Sequence, residues 1–283
     1  MIPLDAEVVR RVVQAALAED LERDGDVTTG ALFDGAHPAR GRLMARGDLV
    51  LAGMPVAREV FHSLDPAVGL QVHCAEGESV EAGTNMADLS GDARPILRGE
   101  RTALNFLMRM CGIAAATHAA VREVEGTGAR ILDTRKTAPG LRALDKYSVR
   151  AGGGVNHRMG LFDAVMIKDT HLGVIDSIAL AVRRALDAGH PADRITVEVR
   201  NTRQLQQAIA AGAGRVLLDN MSLAAMREAV RIGSGRVVLE ASGGLRPGAL
   251  REVAETGVDC LSLGWLTHSA RSGDLALELE IGR

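Results

Sequence analysis

Hydrophobic and polar positions change period along this chain. Over Asp5–Leu21 the apolar residues Val8, Val9, Val12, Val13, Ala16 and Leu17 recur at helical spacing, which predicts an amphipathic helix. Gly41–Leu51 and Gly69–Leu89 are turn-rich and strand-like. Within them, "EGESVEAGT" (76–84) reads as a structural strand–turn–strand hairpin, the shape of biotinyl and lipoyl carriers without the lysine they need. Helical spacing returns from Glu100 to Glu125 through Leu104, Leu107, Met110, Ala114, Val121 and Val124. Gly112 is the expected break in that helix, because glycine costs about 1 kcal/mol relative to alanine in a helix interior, and it marks the expected domain boundary. From Ile131 on, the pattern alternates. Short apolar runs at Arg130–Asp133, Ala164–Lys168, Ile195–Val199, Arg215–Asp219, Arg236–Glu240 and Cys260–Leu263 predict strands. Asp176–Ala188, Arg203–Ala211, Ser222–Ile232 and Gly248–Thr256 predict helices between them. Strands alternating with helices make βαβ units and a parallel sheet. Polar residues recur at the C-terminal ends of several strands, the face on which (β/α) barrels build their sites, so a barrel is favoured over an open doubly wound sheet.

Composition narrows the class. The chain has 283 residues, enough for one large or two modest domains, and its net charge is −3. One Trp and one Tyr offer no stacking platform for single-stranded nucleic acid, and no global basic footprint exists. No apolar run approaches the roughly 20 residues of a membrane span, and Met1-Ile2-Pro3-Leu4-Asp5 lacks signal-peptide character. Cys74, Cys111 and Cys260 form no CxxC pair and read as reduced thiols. The expectation is a soluble cytoplasmic protein.

Charge then changes the picture locally. Only three of the 33 basic residues are lysines, and Lys136, Lys146 and Lys168 fall in one window. Between Asp133 and Lys168, seven Lys or Arg face three Asp. Arg142, Lys146 and Arg150, spaced i, i+4, i+8, read as a solvated helix face. Arg135-Lys136 follows one strand and Lys168 ends the next, while His157-Arg158 follows the flexible "AGGGVN". At a barrel mouth these groups become neighbours. Unpaired cations packed together repel and are costly to desolvate, so they imply an anion carrying several charges. Glu198 in "TVEVR" and Asp219 in "LLDN" add acids that suit ribose hydroxyls, a hydrated Mg²⁺, or simple helix capping. "ASGGL" (241–245, with Ser242, Gly243 and Gly244) and "LGW" (Leu263, Gly264, Trp265) follow the last two strands, where barrels often bind phosphate. His157 and His171 lack metal-ligand spacing, and no GxSxG occurs.

With those residues in view, the chain closely resembles the quinolinate phosphoribosyltransferases. The resemblance runs through "EDLERDGDVTT" (19–29), "ERTALNFL" (100–107), the block from "GTGARILDTRKT" to "FDAVMIKD" (126–169), "VLLDNM" (216–221), "EASGG" (240–244) and "GVDCLSLGWLTHS" (257–269). It implies an N-terminal α/β sandwich domain (1–111, completed by the tail 270–283) and an incomplete parallel (β/α) barrel (112–269). The implied substrates are quinolinate and phosphoribosyl pyrophosphate with Mg²⁺, giving nicotinate mononucleotide, pyrophosphate and CO₂ in NAD biosynthesis. It also implies a homodimer, or a hexamer built from dimers, with a shared active site. Arg135, His157, Arg158 and Lys168 match positions around the quinolinate carboxylates, with Thr134 and Lys136 in the same cluster. Arg101 matches an arginine supplied by the partner subunit. Glu198 and Asp219 match acids at the ribose and Mg²⁺, with no protein residue assigned as a direct metal ligand. The two glycine-containing loops match the 5′-phosphate site. Lys136, Lys168, Glu198 and Asp219 are the implied catalytic set. Thr196 stands where the family often carries a first acid, and Trp265 where it usually has a small residue. Competing functions are a Schiff-base lyase using Lys168, a nicotinate-specific phosphoribosyltransferase and a non-catalytic phosphate-binding regulator.

Overall fold

The computed structural model describes residues 3–282. The chain divides into two compact units: one from the N-terminus to His118 with Thr137–Gly153 and the segment from Leu266 on, the other Ala119–Lys136 with Gly154–Trp265.

The first unit holds helices α1 (Ala6–Leu21), α2 (Val27–Leu32), α3 (Met54–Leu64), α5 (Arg142–Ala151) and most of α4 (Ala93–Glu123). Its sheet of β1 (Pro38–Ala45), β3 (Gly69–Val72), β5 (Asn85–Asp92) and β12 (Leu275–Ile281) has the order β12-β1-β5-β3. A separate pair joins β2 (Leu49–Val50) to β4 (Ser79–Val80). Residues along β1 alternate between exposed and buried, the period of a strand with one face on the core. α1 starts where its spacing predicts: Asp5 caps it by accepting from Glu7 and Val8 N–H, and Val9, Val13 and Leu17 pack inward.

Two expectations for this unit need correction. The 76–84 segment is not a hairpin, because β4 pairs with β2 whereas β5 pairs with β1 and β3. Glu76 instead accepts from Gly53 and Met54 N–H at 2.9 and 2.8 Å, capping α3. Gly112 does not break α4, which runs unbroken for 31 residues. A Cβ at position 112 would sit 2.1 Å from the carbonyl oxygen of Arg271, so the glycine is there to let a second backbone approach. By length and composition α4 could cross a membrane, but more than half of its apolar stretch is buried, as in a core helix.

The second unit carries the parallel strands β6 (Arg130–Leu132), β7 (Val165–Ile167), β8 (Ile195–Val199), β9 (Arg215–Asp219), β10 (Val238–Ser242) and β11 (Cys260–Ser262). Their order, β6-β11-β10-β9-β8-β7, places the first strand beside the last and leaves one seam, between β6 and β7. That is an incomplete barrel. Helices α6 (Asp169–Ile175), α7 (Ile178–Asp187), α8 (Thr202–Ala210), α9 (Leu223–Gly233), α10 (Leu250–Ala254) and α11 (Trp265–His268, which begins at the unit's last residue) follow successive strands. α6 has no counterpart in the sequence pattern. β10 begins two residues later than its apolar run predicts. Its register with β9 and β11 carries Glu240 into the core and makes Ser242 the last strand residue. The glycine run before His157 is tethered rather than flexible: Val155 N–H donates to Ile131 O and Val155 O accepts from Asp133 N–H, adding a parallel rung beyond β6.

Candidate active site

Sheet register aligns the C-terminal ends of the strands. Leu132 pairs with Ser262, Ser262 with Ser242, and Ser242 with Asp219; Leu218 pairs with Val199, and Ile167 with Val197. The residues leaving those ends on one face are Asp133, Leu263, Gly243, Asn220, Arg200 and Lys168. The expected site residues of this unit sit on or just after these ends, except His157 and Arg158, which lie in the loop before β7.

One cluster forms around β6 and the loop before β7. Asp133 is fully buried, and its carboxylate accepts from Asn156 Nδ2 at 2.5 Å and from His157 N–H at 2.8 Å. Met159 and Gly160 N–H donate to Asp163, which holds the loop closed. Arg158 Nη1 donates to Ala164 O at 3.0 Å. Burial, then the nearby charge of Arg135, pushes the Arg158 guanidinium below its ordinary pKa, with Asp163 opposing. Arg135 Nε is buried with no hydrogen-bond partner. Two guanidiniums thus lie close enough to feel each other's charge, one of them with an unmet donor, an arrangement that an anion would relieve. Thr134 Oγ1 accepts from Lys136 N–H at 3.0 Å, tightening the turn that carries the exposed Lys136 side chain.

A second cluster lies across the β7, β8 and β9 ends. Burial, followed by the charges of Asp219 and Asp169, raises the Glu198 pKa, while Lys168 and Arg200 draw it down. Arg200, which sequence reasoning passed over, donates to Asp169 at 2.6 Å and lies 3.7 Å from Asp219. Lys168 is exposed, and its N–H donates to His171 Nδ1. Asn220 was also missed. It adopts φ +52°, donates from Nδ2 to Asp219 at 2.8 Å, and donates its N–H to Ser242 O. Beside it Gly243 and Gly244 have φ +92° and +63°, and a Cβ on Gly243 would lie 2.4 Å from Asn220 Oδ1. Only glycine fits there. The Trp265 ring spans the two final loops, donating from Nε1 to Leu245 O at 3.1 Å, and Leu263 N–H donates to Leu132 O.

Not every expected residue falls in this unit. Arg101 is exposed on α4 in the first unit, where it lines a cleft of about 630 Å³ with Asp20, Asn105 and Arg109. Also in the first unit, α5 overturns the solvated-face reading of Arg142, Lys146 and Arg150. Lys146 is fully buried, and Arg142 and Arg150 are half-buried. α5 packs into the core along a polar stretch, Asp145-Lys146-Tyr147-Ser148, every residue of which is buried. Asp145 accepts both Arg109 nitrogens at 2.8 Å and Ala138 N–H at 3.1 Å. Burial and the Glu76 carboxylate push the Tyr147 phenol above its ordinary pKa.

Strand ends of this kind occur in many barrels, so comparison with known proteins decides the family. Residues 113–278 match the family described as "Quinolinate phosphoribosyl transferase, C-terminal domain", and residues 26–111 match its N-terminal domain. The chain belongs to the quinolinate phosphoribosyltransferase family. Among family members, the nicotinate-nucleotide pyrophosphorylase [carboxylating] of Mycobacterium leprae is 40% identical over 278 residues, covering 96% of this chain and 98% of its own. The solved nicotinate-nucleotide pyrophosphorylase of Francisella tularensis superposes with TM-score 0.91 at 38% identity, covering 98% of each chain. NadC from Streptococcus pyogenes superposes with TM-score 0.94 at 35% identity over the whole of both chains. Membership in the quinolinate phosphoribosyltransferases makes the chain a pentosyltransferase.

Proposed function

We propose that this chain transfers the phosphoribosyl group of phosphoribosyl pyrophosphate to quinolinate, releasing pyrophosphate and CO₂ and forming nicotinate mononucleotide for NAD biosynthesis in the cytoplasm. The observation that carries this reading is the opposed pair Arg135 and Arg158, the first with an unmet buried donor and the second depressed in pKa by burial and by its neighbour. Quinolinate's two adjacent carboxylates match two adjacent guanidiniums, with Lys136 and Lys168 adding charge toward the departing pyrophosphate. Nicotinate has one carboxylate and would leave half of that charge unmet. A single carbonyl, the demand of a Schiff-base lyase, needs fewer cations still. A binding-only regulator is disfavoured by the acids placed opposite these cations.

The chemistry balances without a protein nucleophile. The pyridine nitrogen bonds to C1′ as the C1′–O bond to pyrophosphate breaks. The bond to the adjacent carboxylate then breaks as CO₂, and its electron pair, stabilised by the ring cation, takes up a proton. The protein's part is to position both substrates and to preorganise charge. Glu198 and Asp219 face the oxocarbenium character at C1′ and the ribose hydroxyls. Ser242, Gly243, Gly244, Leu263, Gly264 and Trp265 form the 5′-phosphate loops, and Thr134 shapes the turn at Lys136.

Glu198 and Asp219 also fit Mg²⁺, because the charge of Asp219 opposes ionisation of Glu198 and a hydrated divalent cation relieves that. Among the described residues no group of three His, Cys, Asp or Glu is placed to hold a metal alone, so Mg²⁺ here would depend on substrate phosphate oxygens. When bound it would neutralise pyrophosphate charge. The proposal includes a homodimer, or a hexamer built from dimers, in which the exposed Arg101 of one copy serves the other's site.

The test is the reaction itself, followed across pH. Purified protein with quinolinate, phosphoribosyl pyrophosphate and Mg²⁺ should yield nicotinate mononucleotide, pyrophosphate and CO₂ in equal amounts; absence of all three products overturns the reading. Glu198 must be ionised to act, and its pKa is raised, so activity should fall on the acid side at a pH above the ordinary glutamate value. Glu198→Gln should be slower and lack that limb. A Gln variant that kept the limb would assign it to another group.

A further inference from the structure

The starts of the barrel strands enclose a second polar cavity, on the side away from Lys168, Glu198 and Asp219. The interior of a (β/α) barrel is normally filled by layers of bulky branched side chains. Here Thr196, Arg215 and Val238 are paired across β8, β9 and β10, and Cys260 is paired with Arg130 across β11 and β6. Paired residues of neighbouring strands share a face, and these line one cavity of about 300 Å³. Small side chains at Thr196 and Cys260 leave the layer unfilled. One water takes roughly 30 Å³ in the liquid, so a small anion fits there with water around it.

Charge sets this cavity apart. Arg130, Arg194 and Arg215 all line it, and Arg194, just before β8, is exposed at its rim with Asp193. The loop before β7 supplies the remaining wall, Arg158 included. Arg215 is 24% exposed, and its ion pair is with Glu240, at 3.4 Å. That carboxylate is fully buried and also accepts from the Ser262 hydroxyl. Arg130 has no ion pair among the described residues; its Nη2 donates to Cys260 Sγ at 3.8 Å, and a thiol is a weak acceptor. Neither Arg194 nor Asp193 has an ion pair among the described residues. Burial pushes the Cys260 thiol above its ordinary pKa while the charges of Arg130 and Arg215 pull it back, so both guanidiniums act on one point of the wall. Like charges gathered round a partly desolvated space are costly until counter-charge enters. Water can fill such a space but cannot neutralise it.

We infer that this cavity is a second binding site, for a tetrahedral oxyanion of the phosphate class, held by Arg130, Arg194 and Arg215. Guanidinium forks suit phosphate oxygens, and three of them around one cavity match an anion with oxygens on every side better than a flat carboxylate with two. The reaction reading uses none of these three arginines, so the inference stands apart from it.

Crystals soaked in sodium selenate, a tetrahedral oxyanion with an anomalous signal, test the site. The wild type should show a selenium peak within hydrogen-bond reach of Arg130 and Arg215. The double variant Arg130→Gln, Arg194→Gln should lose that peak and keep any at the barrel mouth. Both replaced residues are exposed, so the fold should tolerate the exchange. A cavity that holds only water in the soaked wild type, or a peak that persists in the double variant, overturns the proposal. In solution, calorimetric titration with inorganic phosphate should count one site fewer in the double variant than in the wild type. Arg130→Gln alone should weaken that site about tenfold, the loss of one charge-assisted hydrogen bond. Equal site counts in the two proteins overturn the proposal as well. These two arms need no turnover, so they read the cavity even where the reaction reading fails. With turnover, kcat/KM for each substrate should stay within about twofold in the double variant. A fall of about tenfold would make the cavity part of the reaction's own site and overturn it as a separate one.

Discussion

Replacing Arg135 by Ala should lower kcat/KM for quinolinate about 10²–10³-fold, the loss expected for a preorganised charge-assisted donor set in a partly dry site. The case rests on what Arg135 lacks. Its Nε is buried without a partner, and its charge already costs the neighbouring Arg158 part of its pKa. Such an arrangement is unfavourable until an anion arrives, so its binding energy is released on quinolinate. The effect should fall mainly on quinolinate KM, with the phosphoribosyl pyrophosphate KM much less affected. Removing the charge should also stabilise the unliganded protein slightly, because Arg158 loses a repulsive neighbour. Steady-state kinetics with each substrate varied in turn checks this. A change of less than about threefold in the quinolinate terms would remove Arg135 from the carboxylate site, since even one such bond is worth more.

Asp145→Ala should destabilise the fold by about 3 kcal/mol, at the lower end for breaking a buried ion pair because Arg109 is one-third exposed. The carboxylate is fully buried and accepts three donors: both Arg109 nitrogens at 2.8 Å and Ala138 N–H at 3.1 Å. Arg109 also donates to Thr267 O at 3.1 Å. Removing the acid strands a guanidinium and a loop N–H in the core of the first unit. For a chain of this size the melting temperature should drop by roughly 5–10 °C, which thermal denaturation followed by circular dichroism reads directly. A melting point indistinguishable from the wild type would mean that water replaces the carboxylate at no cost.

The sequence made much of the second unit legible, for a physical reason. Buried parallel strands are short continuous apolar runs, so all six strands appear near their predicted places. The polar residues that end those runs are the ones that register brings to one face. Charge was legible too, because Arg135, Lys136, Arg158 and Lys168 stand out against a chain that is acidic overall. What stayed hidden depends on contacts far apart in sequence. Lys146 has the spacing of a surface cation and is wholly buried, because helical periodicity cannot tell a solvated face from a buried polar stretch such as that of α5. Gly112 looks like a helix breaker until Arg271 is placed 2.1 Å from where its Cβ would be. Asn220 carries no motif, and its value lies in φ +52° and its bonds to Asp219 and Ser242. Glu240 reads as the last residue of an apolar run. Only the register, which buries it beside Ser262 and Arg215, shows that it is a core residue with partners.

A crystal structure with quinolinate bound tests the central claim most directly. The account predicts one carboxylate against Arg135 and the other against Arg158, with Lys136 and Lys168 turned toward the same cup. Quinolinate lodged elsewhere, with Arg135 and Arg158 pointing apart into solvent, would contradict it.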